Sequence, residues 1–282
     1  MPFGTTFMKT RVITAIVMIA VIIPFFIFSD TVAFPILASL LAAVGVYEMQ
    51  GCIGSKKQLL ISLPSIIIAM SVPLLARYVS ENLLTYVFII SFALITYNYA
   101  VSVFSKHKYG VETAALSAST TVYISFGFAS IVLLRDLSFG QYIYFLAFII
   151  PWVTDTFAYF CGRAFGKHKL IPDVSPKKTI EGSIGGTLFA IGLTLLYGFV
   201  ISKTTDAIPN YLGIAIVSLI VSLLSQCGDL IMSLIKRKFE IKDFGKLFPG
   251  HGGVLDRFDS VILAAPFIYF LSEFVSVLTL FS

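Results

Sequence analysis

Two aspartates stand in stretches that otherwise belong in hydrocarbon: Asp155 within IIPWVTDTFAYF and Asp229 within SLLSQCGDLIMSLI. A carboxylate held at mid-span costs on the order of 3 kcal/mol even on the lenient insertion scales, so each acid is a functional candidate by default. Asp155 precedes Arg163 by eight residues and Asp229 precedes Lys236 by seven. At about 1.5 Å per residue, both acids then lie roughly 10 to 12 Å below the basic edge of their spans. Asp256 and Asp259 follow three residues apart, which puts them on one face of a helix. Acids at similar depth repel one another unless a cation lies among them. An all-oxygen set with few histidines selects a hard ion, magnesium (Mg2+), with Asp155, Asp229, Asp256 and Asp259 as its expected ligands. The competing arrangements are ion pairs with neighbouring Lys or Arg and, for Asp256, a plain helix N-terminal carboxylate.

The cations gather in two connections beside these acids. The first, GRAFGKHKLIPDVSPKKTIEGSIGG from Gly162 to Gly186, brings Arg163, Lys177 and Lys178 together with the hydroxyls of Ser175 and Thr179. That composition suits a polyphosphate, although it lacks the GxxxxGK[ST] spacing of a P-loop. Ser183 and the glycines after it open a span whose free N–H groups favour an anion. The second, SLIKRKFEIKDFGKLFPGHGGVLDRFD from Ser233 to Asp259, carries Lys236, Arg237, Lys242 and Arg257, with His251, Gly252 and Gly253 just before the two acids. His251 suits either of two roles, orienting a phosphate or capping the turn before the last span.

Helices that cross a membrane must hold these residues. The chain of 282 residues is 57% hydrophobic and 12% charged, too apolar to cover a soluble globule. At about 20 residues per span, nine or ten spans use the whole chain and leave no room for a separate soluble domain. The expected fold is all-α and polytopic, with about nine spans near Val12–Phe28, Val32–Tyr47, Leu59–Ala76, Leu83–Phe104, Thr113–Leu134, Tyr142–Gly162, Ser183–Ile201, Tyr211–Ile235 and Ser260–Phe281. Residues 1–140 then form a scaffold with possible oligomer contacts, and residues 141–282 carry the chemistry. The first apolar stretch follows Lys9 and Arg11 and lacks a small-x-small cleavage site, so it is expected to persist as a span, with Met1 and Met8 both open as starts. Cys52, Cys161 and Cys227 have no CxxC spacing and point to neither disulfide nor zinc. Of the 20 Lys and Arg residues, Arg77, Arg135 and Lys203 alone fall in the connections of one side. That asymmetry places the amino terminus and the two basic loops inside and the carboxyl terminus outside.

The second loop resembles the signature of the phosphatidate cytidylyltransferase (CDP-diacylglycerol synthase) family through Ser233, Lys236, Arg237, Lys242, Asp243, Gly245, Pro249, His251, Gly252, Gly253, Asp256, Arg257 and Asp259. The first loop is similar to it through Asp155, Ala158, Tyr159, Gly162, Arg163, Gly166, Ser175, Pro176, Lys177, Lys178, Thr179, Glu181 and Gly182. The resemblance covers the second half of the chain. It implies a magnesium-dependent reaction of CTP with phosphatidic acid that gives CDP-diacylglycerol and pyrophosphate, in a homodimer of the bacterial inner membrane. Membrane lipid, and not nucleic acid, is then the partner. Lys236, Arg237, His251 and Arg257 are the expected catalytic groups. Arg163, Ser175, Lys177, Lys178, Thr179, Lys242, Gly252 and Gly253 are expected to hold substrate.

Three other functions compete. An ion-coupled carrier would show repeat-related halves, whereas the polar residues here concentrate in one half. A CDP-alcohol phosphotransferase would carry an Asp-Gly dipeptide, which the chain lacks. A CTP-dependent lipid kinase shares nucleotide and acceptor, and differs in which phosphate is transferred. The charge asymmetry makes the first prediction: a reporter fused to the amino terminus is cytoplasmic and one fused to the carboxyl terminus is external. Both reporters on one side would refute the nine-span arrangement.

Overall fold

The computed structural model describes residues 26–79, 82–105, 109–275 and 278–282, with Thr14, Ala20, Ile23 and Pro24. The expected first span, with Lys9 and Arg11, falls largely outside these residues, as do Lys106 and Lys108. In chain order come α1 (Ala33–Cys52), α2 (Leu59–Ala76), α3 (Leu83–Phe104), α4 (Val111–Asp136), a short α5 (Gly140–Ile143) and α6 (Leu146–Phe165). A hairpin of β1 (Lys169–Ile171) and β2 (Ser175–Thr179) follows, then α7 (Ile180–Thr204), α8 (Tyr211–Lys238) and α9 (Leu255–Phe274). The fold is all-α apart from this antiparallel hairpin. Among the described residues, seven helical segments are long and apolar enough to cross a membrane, α5 and α6 together making one of them.

The surface is the inverse of a soluble protein's. Phe88, Phe92, Leu188 and Leu212 are exposed, each by more than 60%, while Ser117, Thr121, Thr154, Ser218 and Ser222 are buried. An apolar exterior of this kind needs lipid to cover it.

The chain divides into two compact units, Met1–Val132 with Phe239–Phe258 and Leu133–Lys238 with Asp259–Ser282. In the first, α1 packs on α2, and a buried polar chain ties α1, α2 and α4 together. Gln50 Nε2 donates to Ser117 Oγ at 2.7 Å, and Ser65 Oγ lies 3.2 Å from the same hydroxyl. Leu255 and Ile124 close over Gly45, and the rings of Phe128 and Phe258 meet at 5.3 Å. In the second unit, α6, α7 and α8 pack on one another. Thr154 Oγ1 lies 2.8 Å from Ser222 Oγ, which donates to Thr187 Oγ1 at 3.0 Å. Between helices in lipid, such hydroxyl bonds and close packing of small residues replace the hydrophobic drive available in water.

The last span departs from expectation. Its helix begins at Leu255, five residues early, and ends at Phe274. Asp256, Arg257, Asp259 and Glu273 interrupt its apolar surface, so it is not one of the seven. The residues that follow turn back: Ile208 and Ser282 exchange backbone hydrogen bonds at 2.8 and 3.0 Å, and Asn210 donates to Leu280 at 2.9 Å. Apolar composition cannot distinguish this pairing from a continued helix.

The α6–α7 contact depends on Gly186, where a Cβ would lie 2.5 Å from the carbonyl oxygen of Thr154. A backbone neighbour cannot swing away. Gly186→Ala should therefore destabilise the fold by about 1 to 3 kcal/mol, the cost of overpacking, read as a lower unfolding temperature in detergent. An unchanged transition would show that the two helices part without penalty.

Candidate active site

In the second unit the hairpin and three helices gather the charges. The β1–β2 register, Lys169 opposite Thr179 and Ile171 opposite Ser175, leaves Lys177 exposed and turns Lys178 inward. Lys178 Nζ lies 2.5 Å from Asp229 Oδ2 on α8. The contact is between charges, without hydrogen-bond alignment, so the ammonium has donor capacity for an incoming oxyanion. At Gly228 a Cβ would meet the Asp259 carbonyl oxygen at 2.8 Å, and this closeness of α8 and α9 brings Asp229 near Asp259. Asp259 feels the charges of Asp229, Lys236 and Asp155, and its Oδ1 accepts from the Ser260 amide at 2.9 Å. Ser260 Oγ donates in turn to Asp155 Oδ2 at 3.2 Å. Three carboxylates and two ammonium groups thus share one neighbourhood.

The hairpin is anchored at both ends. Arg237 Nε donates to the Val174 carbonyl at 3.4 Å. Thr179 caps α7, its Oγ1 accepting from the Gly182 amide at 3.1 Å, so α7 opens at Ile180 and not at Ser183. Ser175 begins β2, half-buried, and Arg163 is exposed in the last turn of α6.

The remaining nominated residues lie in the first unit, around a turn between α8 and α9. His251 N donates to Phe248 O at 2.8 Å and Phe248 N to Gly252 O at 2.9 Å. Gly252 has φ of +86°, a left-handed conformation that favours glycine. Asp256 is buried, and its Oδ2 accepts from Phe244 N at 2.8 Å and Gly253 N at 3.0 Å. Glu48 of α1 is buried too, accepting from Val254 N through Oε1 and from Leu255 N through Oε2, each at 3.0 Å. His251 Nδ1 is buried without a hydrogen-bond partner, and Lys242 and Arg257 are exposed at the edges of the segment.

The cytidylyltransferase family model matches residues 9–275. Phosphatidate cytidylyltransferase of Staphylococcus haemolyticus is 35% identical over 270 residues, covering 94% of this chain and 98% of the relative. The protein of that name from Bacillus subtilis is 33% identical over 271 residues, with 94% and 97% covered. That of Staphylococcus aureus strain COL is 35% identical over 272 residues, with 94% and 98% covered. The chain belongs to the cytidylyltransferase family. The resemblance read from the two loops is borne out, and it extends through the first half of this cytidylyltransferase, where the sequence alone offered hydropathy.

Glu48 escaped the sequence reading. An acid within an apolar run is the same signal that singled out Asp155 and Asp229. Hydropathy ends that span at Tyr47, whereas α1 continues to Cys52 and encloses Glu48.

As arranged, no three His, Cys, Asp or Glu side chains among the described residues converge on a point able to hold a metal ion. The donors are nonetheless hard oxygens. Magnesium commonly takes one or two carboxylates and completes its shell with substrate phosphates and water. The residues of this cytidylyltransferase fit an ion that arrives with a nucleotide better than one held by protein alone.

The Lys178–Asp229 contact is testable without any substrate. Its side chains are 22% and 24% exposed, so losing one partner should cost about 1 to 3 kcal/mol, less than the 3 to 5 of a fully buried pair. Lys178→Gln should lower the unfolding temperature and Lys177→Gln should not. The double variant Lys178→Gln/Asp229→Asn should recover part of the loss. Equal effects of the two lysines would remove the pair from the account.

Proposed function

We propose that this cytidylyltransferase transfers CMP from CTP to phosphatidic acid, releasing pyrophosphate and leaving CDP-diacylglycerol in the membrane. The observation that carries this reading is the juxtaposition, in one unit, of Lys178 and Lys236 with Asp155, Asp229 and Asp259. The phosphatidate relatives supply the acceptor.

The chemistry asks little of a general base. A phosphate monoester has its second pKa near 6 and is largely dianionic at neutral pH, so its oxygen is already a nucleophile. It bonds to the α-phosphorus of CTP while the bond from that phosphorus to the oxygen bridging the β-phosphate breaks, and the electron pair leaves with pyrophosphate. What the protein must provide is alignment and positive charge along the triphosphate. Lys178, whose ammonium has no aligned hydrogen bond, turns from Asp229 to a phosphate oxygen. Lys236 supports the same charge from α8. Lys177, Arg163 and Lys242 are exposed and suit the outer phosphates and the lipid headgroup. His251 offers a buried ring nitrogen to a phosphate. Bound with the nucleotide, magnesium would supply Lewis-acid neutralisation from a position held by Asp229 and Asp259, with Asp155 behind them.

The same reading puts the enzyme in a bacterial inner membrane as a homodimer, with its amino terminus and active site on the cytoplasmic side. The segregation of basic residues supports that orientation.

A CTP-dependent lipid kinase would move the γ-phosphate. The deciding assay supplies detergent-solubilised protein with phosphatidic acid and CTP labelled at the α or the γ position, with and without magnesium. Label from the α position should appear in lipid and γ label in pyrophosphate, in the presence of magnesium. Asp229→Asn should lower turnover by about 100-fold or more, as loss of a group acting on the developing charge does. Label from the γ position in lipid would replace the reading with phosphorylation.

A further inference from the structure

Glu48 belongs to α1, 206 positions before the amide it binds at Val254. Its two oxygens take the amides of Val254 and Leu255, the residues at which α9 begins. Two glycines make room for it. A Cβ on Gly245 or on Gly253 would fall within contact distance of the Glu48 carboxylate. Both glycines belong to the run that resembles a phosphate-handling loop, yet here their bareness admits an internal acid. Asp256 complements it by binding Phe244 and Gly253. Between them the two carboxylates clasp the segment from Phe244 to Asp256 at four amides.

A helix start can be capped by one serine or aspartate side chain. Bringing two carboxylates within electrostatic reach of each other, one of them from a distant apolar helix, is a costlier arrangement than capping requires. What it achieves is fixity. Val254 and Leu255 directly precede Asp256 and Arg257, His251 lies three residues upstream of Val254, and Lys242 leads into the clasp. Because Gly253, Val254 and Leu255 already donate to protein carboxylates, their amides are not a phosphate cradle, and the side chains of the segment must do the binding.

We infer that Glu48 is a positioning residue of the transfer reaction: it fixes the turn that presents Lys242, His251 and Arg257, and touches no substrate itself. The inference rests on the functional reading above. Outer groups that orient functional side chains commonly account for 10- to 100-fold of activity, so Glu48→Ala should lower kcat by about that factor. The KM values for CTP and phosphatidic acid should stay within about threefold, the pattern of an interaction realised at the transition state.

The test uses the full chain in detergent, with kcat expressed per CTP-binding site so that unfolded protein is not counted. It compares wild type, Glu48→Gln, Glu48→Ala, Gly245→Ala and the double variant Glu48→Ala/Gly245→Ala. Glu48→Gln, which keeps one acceptor, should fall between wild type and Glu48→Ala. Gly245→Ala should lose activity alone and add at most about twofold once Glu48 is truncated, because the methyl group no longer meets a carboxylate; such non-additivity marks direct coupling. Should Glu48→Ala fail to fold, Glu48→Gln and Gly245→Ala still decide. Unchanged kcat per site in the Glu48 variants, raised KM with normal kcat, or a simply additive cycle overturns the inference while wild type still makes CDP-diacylglycerol. Absence of that product from wild type overturns the functional reading, and this inference with it.

Discussion

An ionised carboxylate among membrane helices must find either a cation or a ring of N–H donors, and the protein uses both solutions. Asp229 takes the first, facing Lys178. Glu48 and Asp256 take the second, enclosed by backbone amides. The difference separates their chemistry. A charge answered by a mobile ammonium can exchange partners, whereas one answered by main-chain amides fixes the chain around it. The first arrangement suits a group that meets substrate; the second suits one that holds the groups that do. The hairpin brings Lys178 to α8, and Gly245 and Gly253 leave room for Glu48 in the turn.

Much of the fold was legible in the sequence because lipid imposes a single rule, that backbone polar groups be satisfied within each span. Leu59–Ala76 and Leu83–Phe104 are helices over the very residues their hydropathy marked. The rule loses force where the chain leaves the apolar run. Residues 169–179 read as a loop because their strands are short and hold lysines and a proline, and their pairing is set by register and not by composition. The apolar tail reads as the end of a span because the pattern of residues 278–282 cannot reveal that a partner waits at 208–210.

The candidate residues were legible in part. Asp155 and Asp229 stood out by cost and Asp259 by its spacing from Asp256, and the fold brings the three into one neighbourhood. Lys177 and Lys178 are indistinguishable as neighbours in a sequence. The strand separates them, one to solvent and one to Asp229. Thr179, read as a phosphate-binding hydroxyl, caps a helix, and Gly253, read the same way, gives its amide to Asp256. Composition names the residues that could touch an anion; whether their donors are already engaged depends on contacts far apart in the chain.

The hairpin is tied to α8 twice, by Lys178 at Asp229 and by Arg237 at Val174. The two attachments lie eight residues apart along the helix, about 12 Å. Were an oxyanion to draw Lys178 from Asp229, the Arg237 attachment would still hold the hairpin on α8, with the acid left within reach of the lysine. An anion arriving without a metal ion would have to compete with Asp229 for that ammonium. Its affinity would be lowered by the fraction of time the pair is closed, and its departure would be followed by a re-pairing that needs no search.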